Sequence, residues 1–148
     1  MIRILLVILY VLLTVAPVGA AQEQHQIGLI KTVSGEAYVL RGGTRLAAHP
    51  GMQLVTGDRL ATGSAGSMGV VLVDDTVLSL GPATETSVEQ FVYEPTEKKF
   101  GMVMKVARGL IAYLSGKISK LAPGSVRIDT PVAPLGVRGT YLLIRVTP

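Results

Sequence analysis

The chain has 148 residues, a formal charge of +4, 17 Gly, 8 Pro, two His and neither Cys nor Trp. Without Cys, disulfide frameworks, thiolate metal sites and cysteine catalysis are excluded. Two His leave little material for a His-based zinc site or a serine triad.

The hydrophobic residues are unevenly spread. Arg3 is followed by an apolar run from Ile4 to Val15, broken by Pro17 and closed by the small residues Gly19, Ala20 and Ala21. One charge, a twelve-residue apolar stretch and a small-residue exit read as a signal peptide over residues 1–21. Cleavage is expected after Ala20 or Ala21, exporting residues 22–148 to a periplasm. An uncleaved anchor is the alternative, but the uncharged stretch to Gln22 is short for a span and carries Pro17 and Gly19. The exported part keeps thirteen basic and ten acidic residues, a charge of +3, and is long enough for one core, not two.

Beyond the leader, glycines at 28, 35, 42, 43, 51, 57, 63, 66 and 69 leave strand-sized segments between turns. Residues 27–33, 36–41, 70–73 and 76–80 read as strands. Asp74-Asp75 between two β-branched runs reads as a hairpin turn. As a calcium site it lacks further oxygens at the required spacing.

Residues 100–121 fit two patterns. Met102, Val106, Leu110, Leu114, Ile118 and Leu121 fall at helical spacing, yet Gly101, Gly109 and Gly116 would each cost about 1 kcal/mol inside a helix. The alternation of Phe100, Met102, Met104 and Val106 favours two strands turning at Arg108-Gly109. A short helix then runs from Ser115, as N-cap, to Leu121. Strands over 126–130, 132–137 and 140–146 close the chain. The expectation is an all-β single domain of many short strands with Gly turns. The regular turn spacing favours a β-solenoid or double-stranded β-helix-like winding, with a jelly-roll sandwich as the alternative.

Catalytic patterns are sparse. Gly63-Ser64-Ala65-Gly66-Ser67 is not a nucleophile elbow, and Gly116-Lys117 lacks the rest of a phosphate loop. His25 and His49 have no second ligand at metal spacing, so neither a metal nor a cofactor is expected. Glu36, Asp58, Glu85, Glu89 and Asp129 could supply a glycosidase pair. The aromatics such a groove would need are limited to Tyr38, Phe91, Tyr93, Phe100, Tyr113 and Tyr141, and several of these are more simply core. A non-enzymatic protein is expected. Lys98, Lys99, Lys105, Arg108, Lys117 and Lys120 form a run of cations without an acid. This is either a solvated face or a patch for an anionic polysaccharide, a lipid surface or an acidic protein. Export disfavours nucleic acid.

Thr130-Pro131-Val132-Ala133 and Val137-Arg138-Gly139-Thr140, followed by the apolar strand Tyr141 to Ile144, resemble the end of FecR-type periplasmic domains. Upstream, Gly51 to Gly63, with Gly57-Asp58 at its centre, is similar to that family's Gly-x-x-Leu-x-x-Gly-Asp-x-Leu-x-Thr-Gly run. Leu78 to Thr84 is similar to its next strand and turn. Asp75 departs from the family's Asp-Gly turn, which puts the turn type there in question. The motif positions Gly57, Asp58, Thr130, Pro131, Gly136, Arg138, Gly139 and Thr140 are candidates for structural or interaction roles. Pro131 should break two strands, and Arg138 should tie strands together through Asp58 or Asp129. The resemblance implies a free-standing FecR-like module that binds an envelope protein, as in iron-uptake signalling. A polysaccharide- or peptidoglycan-binding envelope protein is the alternative.

Overall fold

The computed structural model describes Gly19 and residues 24–148; the rest of the expected leader and its cleavage site lie outside the described residues. The described chain forms β1 (Gln26–Ser34), β2 (Ala37–Arg41), β3 (Thr44–Ala47), β4 (Gln53–Val55), β5 (Arg59–Thr62) and β6 (Ser67–Leu72). It continues with β7 (Val77–Leu80), β8 (Glu85–Glu94), β9 (Lys99–Leu114), the short helix α1 (Lys117–Leu121), β10 (Val126–Asp129), β11 (Pro134–Gly136) and β12 (Tyr141–Val146). The expected all-β single domain with one short helix is what the chain adopts.

The strands make one curled sheet in two halves that share β9. One half runs β4-β1-β6-β7-β9-β12 and the other β3-β2-β5-β8-β9-β10-β11. Pairing is antiparallel apart from β10 on β9, which is parallel. The chain passes repeatedly between halves: β1 in the first, β2 and β3 in the second, β4 back in the first, β5 in the second. This is the winding that the glycine spacing predicts.

Side-chain alternation builds the core. Met68, Val70 and Leu72 of β6 point inward, as do Leu78 and Leu80 of β7, and they join Ile30, Val39, Leu60, Val88 and Ile128 in one apolar cluster. Burial of these aliphatic side chains at roughly 25 cal/mol per Å² is the main force closing the halves on each other.

Strand β9 corrects one expectation. Arg108-Gly109 is not a hairpin turn; the chain continues as a single 16-residue strand. Gly109 has φ +98° and sits so close to Thr84 that a Cβ would lie 2.3 Å from its hydroxyl. The Thr84 Oγ1 accepts the Leu110 amide at 2.9 Å. Because of this corner, Met102, Met104 and Val106 face the core before it and Ile111 and Tyr113 after it, a switch from even to odd positions. The corner also exchanges the partners of β9, from β8 and β10 to β7 and β12.

A second correction concerns α1. Its N-cap is Gly116, without a side-chain cap bond, and Ser115 instead donates its hydroxyl to the Gly139 carbonyl at 2.6 Å. The Ile118 amide is taken by Asp74 in the β6–β7 turn. That turn is present as expected, and Asp75 holds φ +69°. This is the left-handed conformation most readily taken by Gly, and Asp is among the few other residues that tolerate it.

Candidate functional site

The upstream half of the motif is structural. Gly57, at φ +87°, turns the chain between β4 and β5 and donates its amide to the Val88 carbonyl at 2.9 Å. Asp58 is buried, and its carboxylate takes the Arg41 guanidinium at 2.6 and 2.8 Å and the Val55 amide at 3.0 Å. Arg41 also donates to the Gln53 carbonyl at 3.0 Å. This cluster fastens the end of β2 to β4 and the following turn. The hydrogen bond that Arg41 donates to Asp58 raises the pKa of its guanidinium, against a smaller opposing effect of burial.

Arg138 is therefore not Asp58's partner. Nor is it Asp129's, since that carboxylate holds Arg127 at 2.8 and 3.1 Å. The expectation that Arg138 ties strands together fails for a simple reason. Alternation sends Val137 inward, where it is 1% exposed, and leaves Arg138 outside. Among the described residues Arg138 has neither an ion pair nor a side-chain hydrogen bond. The packing work of the motif is done by its neighbours. The Val137 amide donates to Val126 at 3.2 Å, and the Thr140 carbonyl accepts the Ser115 amide at 2.8 Å. Thr130 closes the β10–β11 turn around Pro131, its hydroxyl donating to the Ala133 carbonyl at 2.8 Å. Gly136 ends β11 opposite Arg127.

Arg138, Gly139 and Thr140 line a cleft of about 640 Å³ together with Ser115, Ser119, Lys120, Pro123 and Val137. Its charged members are Arg138 and Lys120, and Lys120 likewise has no acidic partner among the described residues. Three hydroxyl-bearing residues, Ser115, Ser119 and Thr140, complete the wall. Arg supplies a planar fork of donors suited to a carboxylate or phosphate, Lys a mobile point charge, and the Ser119 and Thr140 hydroxyls further donors, the Ser115 hydroxyl being held by the Gly139 carbonyl. The cleft is thus equipped for an anionic group. Ser119 escaped sequence reasoning because helix, strand and loop place it differently, and only the turn of α1 brings it to Arg138.

The basic run is broken up. Lys99 pairs with Glu97 at 3.2 Å, Arg108 with Glu85 at 3.5 Å and Lys117 with Asp75 at 3.0 Å. The pairing with Asp75 raises the pKa of the Lys117 ammonium. Lys98 lies in the β8–β9 turn at φ +54°. Lys105 lines a separate groove with Arg59, Glu85, Ser87 and Glu89. Of the six cations, Lys120 alone lines the Arg138 cleft.

Two candidate carboxylates, Glu85 and Glu89, do meet in that groove. Glu85 is engaged by Arg59 at 3.2 Å as well as by Arg108, and Glu89 accepts the Ser87 hydroxyl. Glu36 pairs with Arg45 at 2.9 Å, and Arg45 lies over the Tyr38 ring at 3.7 Å. His49 is exposed in the turn before Gly51, and His25 is exposed ahead of β1. Among the described residues no three His, Asp or Glu gather in a way that could hold a metal ion, and no helix is long and apolar enough to cross a membrane. Comparison with family models, with curated proteins and with solved structures gives no match.

Proposed function

We propose that this chain is a non-catalytic, exported interaction module of FecR-like type that works in the cell envelope by binding a protein partner. The observation that carries the reading is Arg138, a motif arginine exposed to solvent, free of ion pairs among the described residues, and sharing a cleft with Lys120. An arginine kept outside a well-packed Val137 is placed to meet something other than its own fold. In this reading the cleft receives an acidic side chain of the partner, and the rest of the domain is the rigid scaffold that presents it.

The resemblance of Val137-Arg138-Gly139-Thr140 to the FecR-type motif supports an envelope signalling role of the iron-uptake kind. The pairing of Lys99, Arg108 and Lys117 with acids weakens the case for a polysaccharide surface, which needs free adjacent cations.

The test is capture from an envelope fraction with wild-type protein and with Arg138→Ala. Arg138→Ala should unfold at the wild-type urea concentration yet lose a protein retained by the wild type. Retention of the same protein by Arg138→Ala, or recovery of glycan alone, overturns the reading. Mass spectrometry of the exported protein should find Ala21 or Gln22 at its N-terminus, and intact Met1 would restore the anchor alternative.

A further inference from the structure

Strand β12 is an edge strand, paired with β9 and with nothing on its other side among the described residues. The Ser115 amide donates to the Thr140 carbonyl, which fixes the phase of the ladder. Even-numbered residues of β12 turn their N–H and C=O toward β9, and Tyr141, Leu143 and Arg145 turn theirs to the open edge. The side chains on this edge are unusual for one left bare. Tyr141 and Leu143 are each 61% exposed, and Leu114, directly beside Tyr141 on β9, is 41% exposed. Edge strands are ordinarily protected by Pro, bulges or charges. Here the pairing of β12 with β9 is unbroken and Arg145 is its only charge.

We propose that two copies of the chain pair edge to edge through β12, antiparallel, about a two-fold axis at Leu143. The ladder phase requires outward-turned residues to face outward-turned residues, so odd positions oppose odd positions. Centred on Leu143, the register sets Leu143 against Leu143 of the second copy and Tyr141 against its Arg145. Each copy then supplies one arginine to one tyrosine ring, so two cation–π pairs flank a leucine pair. Arg145 has no acidic partner of its own among the described residues. Moving the axis to residue 142 places Tyr141 opposite Leu143, and moving it to 144 places Tyr141 opposite Thr147. Either shift loses both tyrosine–arginine pairs, and an axis at 145 puts two arginines face to face. The sequence of β12 is thus complementary to itself in a single register, which is what an isologous contact demands. This proposal is independent of the Arg138 cleft.

The absence of Cys gives a clean test. Purified Leu143→Cys treated with a short bis-maleimide should give a covalent dimer, because facing residues in such a ladder lie roughly 5.5 Å apart between Cα atoms. Ser79→Cys, exposed on the same sheet face but on β7, should give none. In sedimentation experiments the wild type should show a concentration-dependent dimer. Leu143→Lys, which sets two ammonium groups across the axis, should weaken it roughly tenfold or more with an unchanged circular dichroism spectrum. A wild type that stays monomeric at millimolar concentration overturns the proposal and leaves the edge for a strand of another protein. Equal cross-linking of Ser79→Cys overturns the register.

Discussion

The buried Asp74 carboxylate accepts the Ile118 amide at 3.2 Å across 44 residues of chain. The same carboxylate accepts the Thr76 amide at 3.1 Å and the Thr76 hydroxyl at 2.9 Å, and the Asp74 carbonyl takes the Lys117 amide at 2.7 Å. A tight β-hairpin thereby caps a helix that has too few residues to persist alone. Gly116 permits the approach, since a Cβ there would lie 2.4 Å from both the Asp74 carbonyl and the Thr76 amide.

Asp74→Ala should therefore cost about 3 kcal/mol, because it leaves the Thr76 and Ile118 amides and the Thr76 hydroxyl without their acceptor. Asp74→Asn should cost less, keeping an acceptor. Urea unfolding gives the magnitude, and faster hydrogen exchange at Ile118 identifies the cap as the cause. An Asp74→Ala protein as stable as wild type would contradict it.

The Arg41–Asp58 pair predicts an asymmetry. The Asp58 side chain is 3% exposed and that of Arg41 33%. Arg41→Ala leaves a buried carboxylate with only the Val55 amide, a loss on the order of 3 kcal/mol. Asp58→Ala leaves an arginine that can turn to water, so the loss should be nearer about 1–2 kcal/mol. Equal losses in thermal unfolding would show that the burial difference does not govern the pair.

At the β9 corner, Gly109→Ala places a methyl against Thr84 at positive φ, and a loss on the order of 3 kcal/mol is expected. Thr84→Ala removes the acceptor of the Leu110 amide and the hydroxyl's donation to the Pro82 and Leu110 carbonyls without adding bulk, and should cost about 1–2 kcal/mol. A Gly109→Ala protein that unfolds at the wild-type temperature would mean the corner relaxes freely.

Tyr113 is fully buried, and its hydroxyl has no partner in good geometry. Burial pushes its phenol pKa up, opposed by the nearby Thr76 and Ser115 hydroxyls. The folded state thus holds the phenolic proton more tightly than the unfolded chain. The stability linked to it is complete below the unfolded value near 10 and is lost as pH rises through the folded value. Tyr113→Phe should be neutral or stabilising by up to about 1 kcal/mol at pH 7. It should also flatten the decline of stability above pH 10, measured by urea unfolding at stepped pH. An unchanged alkaline slope would assign that decline to other groups.

How much of this was legible in the sequence depends on whether information was local. The glycines, the Asp74-Asp75 turn and the inward alternation of Met102, Met104 and Val106 are local signals, and the strands they mark are where they should be. The continuity of β9 was not readable. Arg-Gly is ordinary turn chemistry, and what makes it a corner is Thr84, 25 residues away. Ser115 fits an N-cap by type, but Asp74 reaches the helix first, and no spacing rule relates positions 74 and 118. Arg138 was misassigned for the same reason: acids near in composition, Asp58 and Asp129, were already taken by Arg41 and Arg127. The apolar run Tyr141-Leu142-Leu143-Ile144 hides which side is buried, so the bare edge was invisible until β9 fixed its face.

The sharing of β9 by both halves also governs how the molecule comes apart. A strand with neighbours on both sides over Met102–Lys105 and Ile111–Leu114, and different neighbours on each side of Gly109, cannot be released by opening either half alone. Its amides should be the last to exchange with solvent, and the two halves should lose protection together. Cutting the chain at the Gly109 corner would leave two fragments that each hold only part of the shared strand, neither able to fold unaided. The domain is in this respect indivisible, although its sheet has two faces and its chain crosses between them many times.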